Sequence, residues 1–327
     1  MVVDAGSSLQ LLVVVLNYRT PALTIDCLAS LDGQLVGCKH AVVVVDNASG
    51  DGSLQEIERA IALNNWQAWV RVLPSSVNGG FSAGNNLGIQ SARAEAYLLL
   101  NSDTIVRPGA ISSLLRELAA HPAVGIVSPR LEWPDATPQI SCFRYRSPGS
   151  EAIAAAQTGS LTKLLLRFDM PLPVTDNAFE PEWTSFACVL IRRAVVERVG
   201  LMDEGYFMYC DDIDYCRRTR ALGWTIRYCP EARVVHLRGG SGPVKQELAA
   251  RKRPQPYVYA SRSRYFAKFY GGRRGLIVAN ACWLLGRSVS LFRELLGRQT
   301  HLSEATARDI WMYWRDPLRP YKRDRPR

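Results

Sequence analysis

The chain is predicted to be an α/β protein with a mostly parallel central sheet, and three observations carry that expectation. Short β-branched and aliphatic runs alternate with helix-like segments through the first hundred residues, the runs are apolar throughout, and they end in Asn, Asp or Ser clusters. Continuously apolar strands separated by amphipathic helices belong to parallel sheets covered on both faces. The strands are expected at Leu11–Leu16, Ala41–Val45, Trp69–Leu73 and Ala96–Leu100, and the helices at Thr20–Leu31, Leu54–Leu63 and Ala83–Ala92.

A further helix is expected between Pro108 and Pro122, with Ile111, Leu114, Leu115 and Leu118 facing inward. Residues 129–181 are rich in proline and poor in periodicity, so long loops are expected there, with a short helix around Ser150–Leu166. Structure resumes with a strand at Trp183–Arg192, helices at Ala194–Val199 and Asp211–Leu222, and strands at Thr225–Tyr228 and Arg233–His236. From about Gly239 the pattern turns to helices rich in arginine and aromatic residues.

The composition, with 327 residues of which 47% are hydrophobic, excludes a disordered chain. The net charge of +10 is unevenly spread: residues 1–250 hold 22 basic and 25 acidic side chains, residues 251–327 hold 18 and 5. A near-neutral body thus precedes a basic tail, and the two are expected to face different surroundings. The eight cysteines form no CxxC pair and are expected to be reduced thiols in a cytoplasmic protein. No Lys or Arg precedes Arg19, so a signal peptide is not expected. The later apolar stretch Leu276–Leu285, interrupted by Asn280, is expected to be too short for the roughly 20 residues that span a bilayer.

Neither a G-x-G-x-x-G dinucleotide loop nor a G-x-x-x-x-G-K-[ST] phosphate loop is present, which removes most of the case for dehydrogenase or P-loop chemistry. The clusters Asn17-Tyr18-Arg19, Asp46-Asn47-Ala48-Ser49 and Asn101-Ser102-Asp103 close strand runs, and ligands of open α/β sheets bind outside the strands' carboxyl ends. Together with Asn78, Asn85 and Asn86 they offer carboxylates and amides suited to a nucleotide's base and ribose and to a hard cation. Asn and Asp also terminate strands for purely local reasons, but six of them at successive ends, Asp46, Asn78, Asn85, Asn86, Asn101 and Asp103, point to one site.

In order and spacing these segments resemble the family 2 glycosyltransferases with a GT-A fold. The resemblance runs through Val15–Thr20, Val45–Ser49, Asn78-Gly79-Gly80-Phe81 to Gly84-Asn85-Asn86, Leu100–Thr104, Asp203–Arg218, Gly223-Trp224 and His236, covering roughly residues 10–240. Within the family it is most similar to bacterial rhamnosyltransferases that extend polyprenyl-diphosphate-linked saccharides. The resemblance implies a Rossmann-like domain over 1–240, with a nucleotide-binding half of about 1–105 and an acceptor half of about 106–240, and a basic helical extension over 241–327.

It implies that Asn17, Tyr18, Arg19, Asp46, Asn78, Gly79, Gly80, Phe81, Asn85 and Asn101 hold the nucleotide. Asn101-Ser102-Asp103 resembles the family's D-x-D metal motif with its first acid replaced, so Asp103, with His236 as second ligand, is expected to bind Mg²⁺ or Mn²⁺. The second acid of Asp211-Asp212 is implied as general base for inversion in one displacement, with Asp211 in place of a more usual Glu. Asp214, about 200° around the helix from Asp212, is expected to pair with Arg217 or Arg218 instead. Phe186 replaces a small residue and Trp183 is a candidate for stacking on a sugar. Gly239-Gly240-Ser241-Gly242 is expected to hinge a closing loop.

In the tail, residues 251–298 interleave Lys and Arg with aromatic and aliphatic residues, as helices that lie on anionic membranes do. The expectation is therefore a cytoplasmic enzyme, peripheral on the inner face of the cell membrane. It would move a sugar, rhamnose from dTDP-rhamnose in the narrowest reading, to a lipid-linked saccharide of the cell envelope. No nucleic-acid motif accompanies the basic charge. A sugar-nucleotide nucleotidyltransferase and a non-catalytic binding protein at the membrane surface are the alternatives.

Overall fold

The computed structural model describes residues 9–35, 37–238 and 250–321. Strand β1 (Leu9–Asn17) leads through α1 (Pro21–Leu31) to β2 (His40–Asp46), α2 (Ser53–Leu63) to β3 (Val70–Pro74), and α3 (Gly80–Gln90) to β4 (Ala94–Asn101). Then come β5 (Thr104–Val106), α4 (Ala110–Ala120), β6 (Val124–Glu132), β7 (Cys142–Phe143), α5 (Pro148–Ala156) and α6 (Gly159–Leu164). The chain continues with β8 (Trp183–Thr184), β9 (Cys188–Arg192), α7 (Arg193–Val199), α8 (Asp211–Ala221) and β10 (Thr225–His236). It closes with α9 (Pro256–Phe269), α10 (Arg273–Leu295) and α11 (Thr306–Asp309).

The α/β expectation is met by an eight-stranded sheet in the order β3-β2-β1-β4-β9-β6-β10-β5. β1 pairs parallel with β2 and β4, β2 with β3, and β6 with β10, whereas β9 and β5 run against their neighbours. Both faces of β1 are buried: Leu11, Val13 and Val15 pack with Leu28, Ile57 and Leu114 on one side, and Leu12 and Val14 with Ile89 and Tyr97 on the other. That two-sided burial is why the strand sequences are apolar at every position.

Four expected elements differ from those observed. The strand expected over Trp183–Arg192 is broken at 185–187: β8 pairs with β7 in a separate two-stranded sheet, and β9 lies between β4 and β6. One straight segment cannot serve partners in two sheets. The two strands expected around Thr225–His236 are one, β10, whose register shifts between Cys229 and Arg233, where Pro230 has no N–H to give the ladder. The helix expected from Ala83 begins at Gly80, so Asn78-Gly79-Gly80-Phe81 opens a helix. The helix expected over Ser150–Leu166 is split into α5 and α6 where Gln157 takes φ 48°.

The tail is also more deeply joined to the body than its composition implies. Tyr265 and Phe266 of α9 and Leu276 and Ala279 of α10 are buried in the same cluster as Tyr97 and Tyr206. Arg262 donates to Glu151 at 2.6 Å and to Asn280 at 2.6 Å, and Arg146 takes the other Glu151 oxygen at 2.5 Å. Arg264 and Lys268 both reach Asp203 at 2.8 Å. α10 lies along α5 so closely that a Cβ on Gly286 would stand 2.2 Å from the Ala152 carbonyl oxygen. The boundary expected at 240/241 and the Gly239–Gly242 hinge lie outside the described residues.

Burial would raise the Glu151 carboxyl, but the Arg146 and Arg262 guanidiniums outweigh it and hold the group below its ordinary value. Replacing Glu151→Gln strands two buried guanidiniums and should lower the unfolding free energy by about 3–5 kcal/mol in a denaturant melt. A carboxyl held low contributes fully above its ordinary value of 4.5 and loses that contribution as pH falls through the folded-state value. The wild-type and Glu151→Gln stabilities should therefore converge in acid; a gap that stays constant down to low pH would refute the ion-pair account.

Candidate functional site

The carboxyl ends of β1, β2, β4 and β10 meet at one edge of the sheet, beside the starts of α3 and α8, and enclose a cavity of about 650 Å³. Its walls include Tyr18, Asn47, Asn78, Gly80, Phe81, Asn101, Ser102, Asp103, Asp211, Asp212 and His236. Six distant segments are thus brought to one place, those after β1, β2 and β4 by the parallel register of these strands.

Behind that wall the strand ends are braced to one another. The Asn17 side-chain amide donates to Asp46 Oδ1 at 2.7 Å, Ser49 donates to the same carboxylate, and Asn17 Oδ1 accepts from Thr24 at 2.9 Å. Arg19, at φ 58°, donates its backbone N–H to Ser49 Oγ and its Nε to the Ser49 carbonyl, each at 2.9 Å. Asn85 sits inside α3 and donates to the Phe81 carbonyl at 3.0 Å, and Asn86 clasps Met202 through both of its amide atoms. Asn17, Arg19, Asp46, Gly79 and Asn85, all expected at the nucleotide, are outside the cavity lining, whereas Tyr18, Asn78, Gly80, Phe81 and Asn101 are in it. The first group shapes the edge on which the second stands.

Asn47, absent from the expected set, lines the cavity and donates to Asn78 Oδ1 at 3.2 Å and to the Gly80 carbonyl at 3.0 Å. Gly80 has φ 88°, and a Cβ there would lie 2.1 Å from the Phe207 carbonyl oxygen, which also accepts the Phe81 N–H at 2.8 Å. The start of α3 and the loop before α8 are thereby clamped together.

Asp103 lies in the turn between β4 and β5, which is held by Thr104 Oγ1 donating to the Asn101 carbonyl at 2.7 Å. β5 then pairs antiparallel with β10, setting His236 opposite Thr104 and its Nε2 3.5 Å from Asp103 Oδ1. The Leu237 N–H donates to the Asp103 carbonyl at 2.9 Å, and Gln139 donates to the His236 carbonyl at 2.7 Å, so the backbones of both residues are fixed. The pair fits a hard divalent cation: one carboxylate oxygen and one imidazole nitrogen converge at the cavity wall. Among the described residues no third His, Cys, Asp or Glu completes a metal-binding cluster, so further ligand oxygens have to come from elsewhere, as a diphosphate can provide.

Across the cavity Tyr209 and Cys210 take consecutive positive φ values of 69° and 62°, a left-handed pair that turns the chain into α8 and sets Asp211 and Asp212 on its first turn. Their charges suit the positive end of the helix dipole. Asp211 is buried, and that burial, with the nearby Asp214 charge, pushes its carboxyl up to about 7 against the backbone N–H bonds that oppose it. Enclosure and the Asp211 charge hold the half-buried Asp212 well above the ordinary carboxylate range. Asp214 faces the other way, as its helical position requires: it accepts from Arg218 at 2.6 Å and from Tyr206 at 3.2 Å and pairs with Lys268. Arg217 instead stacks on Phe269, Tyr270 and Tyr145.

One side of the cavity is aromatic. Trp183 stacks on Phe143 at 4.3 Å and donates its indole N–H to the Arg144 carbonyl, and Phe186 is buried with its edge toward Tyr215. Phe207, Tyr209, Tyr257 and Tyr321 form a second cluster, with ring centroids 5.3 to 6.3 Å apart. Gln255, Tyr257 and Tyr321 come from the tail, which the sequence assigned to a surface role; nothing in their local pattern links them to residues 40 or more positions away.

The family model described as glycosyltransferase-like family 2 matches residues 9–254. An N-acetylglucosaminyl-diphospho-decaprenol L-rhamnosyltransferase of Mycobacterium tuberculosis is 28% identical over 221 residues, which are 62% of this chain and 67% of that one. A low-salt glycan biosynthesis hexosyltransferase of Haloferax volcanii is 24% identical over 231 residues, 68% of this chain and 66% of that one. A Pyrobaculum calidifontis mannosyltransferase, solved with GDP-Man and Mn²⁺, superposes with a TM-score of 0.56 at 16% identity, covering 96% of this chain and 83% of that one.

The clamp at Gly80 is testable against an internal control. Gly109 also has positive φ, 80°, but open space where its Cβ would go. Both Gly→Ala changes carry the left-handed cost of about 1–2 kcal/mol, and Gly80→Ala should cost clearly more because the Phe207 backbone must move. Equal losses in unfolding free energy for the two variants would mean that the 207 loop yields freely.

Proposed function

The chain belongs to glycosyltransferase family 2, and on that premise we propose that it is an inverting, divalent-metal-dependent enzyme acting on a lipid-borne acceptor. It transfers a sugar from a nucleoside diphosphate to a saccharide held on a polyprenyl diphosphate. The observation that carries the reading is one cavity with the Asp103–His236 pair on one wall and the Asp211–Asp212 pair on another. The name of the Mycobacterium tuberculosis relative, an L-rhamnosyltransferase, favours rhamnose as the sugar; dTDP-rhamnose as donor and a place in cell-envelope polysaccharide synthesis belong to the same proposal.

In this reading residues of the first half, Tyr18, Asn47, Asn78 and Asn101, contact the nucleotide. Asp103 and His236 hold Mg²⁺ or Mn²⁺, whose charge offsets the negative charge that develops on the departing diphosphate. Asp212 takes the proton of the acceptor hydroxyl as its oxygen bonds to the anomeric carbon and the bond to the diphosphate breaks, so the anomeric centre inverts. The raised carboxyl of Asp212 suits that task, since a base held above the ordinary carboxylate range accepts a proton more readily than an ordinary carboxylate. Phe207, Tyr209, Tyr257 and Tyr321 offer ring faces to the acceptor, so the acceptor half extends beyond 106–240 into the tail. A lipid-borne acceptor makes the enzyme peripheral to the inner face of the cell membrane.

Nucleoside diphosphate release from a sugar nucleotide, with Mg²⁺ or Mn²⁺ and acceptor, is the primary assay. Asp212→Asn should lower kcat by roughly 10²–10⁴ while leaving donor binding nearly intact. Because the base must be unprotonated and enclosure beside the Asp211 charge raises the Asp212 carboxyl, wild-type kcat/KM should climb with pH at values well above the ordinary carboxylate range. Full turnover in the Asp212→Asn enzyme would take the base role from this residue. A second prediction concerns the cation: His236→Ala should raise the concentration of Mg²⁺ or Mn²⁺ needed for half-maximal rate at least tenfold, and an unchanged requirement would remove His236 from the metal site.

A further inference from the structure

α10 buries polar groups on its inward face and leaves large apolar side chains outside. Asn280, Arg287 and Ser290 are buried beside Leu276, Trp283, Gly275, Ala279 and Gly286. Its outward face is apolar: Ile277, Leu284, Leu285, Leu291, Phe292 and Leu295 are exposed, Leu285 by 68%, Phe292 by 63% and Leu295 by 85%. With exposed Ala281 and Ser288 between them these positions follow one another at three- and four-residue steps from 277 to 295, so they form one stripe about 27 Å long at 1.5 Å per residue, in which Ser288 is the polar member. The stripe contains no charged side chain.

We infer that this stripe is the surface by which the protein lies on an anionic bilayer, with the helix axis in the membrane plane and the outward side chains among the acyl chains. The inference rests on the reading above that the acceptor is lipid-borne, and it narrows the sequence-based expectation, in which helices of interleaved basic, aromatic and aliphatic residues over 251–298 lie on the membrane, to one face of α10. Most of α9 is buried in the body, and its Arg262, Arg264 and Lys268 are committed to Glu151, Asp203 and Asp214. The charges left for lipid headgroups stand at the margins of the stripe: Arg273 and Arg274 at its start and Arg298 just past its end, all exposed. Arg293 donates to the Ala156 carbonyl at 3.2 Å, which ties the end of α10 to the end of α5. Apolar side chains edged by cations match an interface of acyl chains under anionic headgroups.

By length and composition alone α10 is apolar enough to cross a bilayer, contrary to the expectation drawn from Leu276–Leu285. Its inward face argues against crossing. Asn280 accepts from Arg262 and donates to the Ile310 carbonyl at 3.1 Å, and Arg287 donates to both Glu294 oxygens at 2.9 and 3.1 Å. A spanning helix would lose the Asn280 partners and carry Arg287 into hydrocarbon.

The test uses the full chain and vesicles of phosphatidylcholine with and without phosphatidylglycerol. The wild type should float with the anionic vesicles and be released by alkaline carbonate. The Leu285→Glu/Phe292→Glu variant should bind at least tenfold more weakly while melting like the wild type, and Arg273→Gln/Arg274→Gln should weaken binding to anionic vesicles only. Equal flotation of wild type and the glutamate variant, or none by either, would overturn the proposal. Resistance to carbonate would overturn it in favour of a spanning helix, and a wild-type dimer that the glutamate variant dissociates would overturn it in favour of a second copy on this face. Nucleoside diphosphate release without vesicles is scored separately: flotation without turnover refutes the transferase reading and leaves the surface standing, while turnover without flotation does the reverse.

Discussion

Parallel pairing of β1 with β2 and β4 is the constraint from which the site follows. In that register Asn17 lies opposite Asp46 and Leu16 opposite Asn101, so polar groups that end three apolar strands come to one edge without any long-range recognition between them. The same apolar interior makes those ends polar: a buried strand must stop where its backbone and side chains reach water or a ligand. The Asn17–Asp46–Ser49 brace then spends two of the polar residues on holding the edge in shape, so that Tyr18, Asn47 and Asn101 face the cavity.

Two reversals of strand direction supply what the parallel sheet cannot. β5 folds back against β10, and only that antiparallel pairing sets Asp103 beside His236, 133 positions further along the chain. β9, inserted antiparallel between β4 and β6, spaces the edge formed by β1, β2 and β4 from β10 and leaves Phe186 and Trp183 facing the cavity. The left-handed pair Tyr209–Cys210 has a similar role at α8. Its left-handed backbone points two carboxylates into an enclosed space, where burial raises both, helped by the Asp214 charge at Asp211 and by the Asp211 charge at Asp212.

The basic tail joins these parts. Its charge excess suggested a surface device, yet several of its cations neutralise carboxylates of the body, among them Glu151, Asp203 and Asp214, and so fix the loop and helix that carry Asp211 and Asp212. α10 turns Asn280 inward to Arg262 and the Ile310 carbonyl, and Arg287 is held by Glu294 of the same helix, while most of its exposed side chains are apolar.

Strand and helix order through β4, the α/β class, and the grouping of Asn17, Asp46, Asn101 and Asp103 at strand ends were determined by the sequence alone, because each depends on periodicity and composition within a dozen residues. Only the tertiary structure decided which of those groups face the cavity and which brace it. It also decided that Trp183–Arg192 divides between two sheets, and that Gln255, Tyr257 and Tyr321 return to the site. Those outcomes depend on pairings between segments far apart in the chain, where burial of one face selects a partner that no local pattern specifies. The tail shows the difference most plainly: its cations were countable from the sequence, but their counter-ions were not, because a salt bridge is set by distance in space and not by separation along the chain.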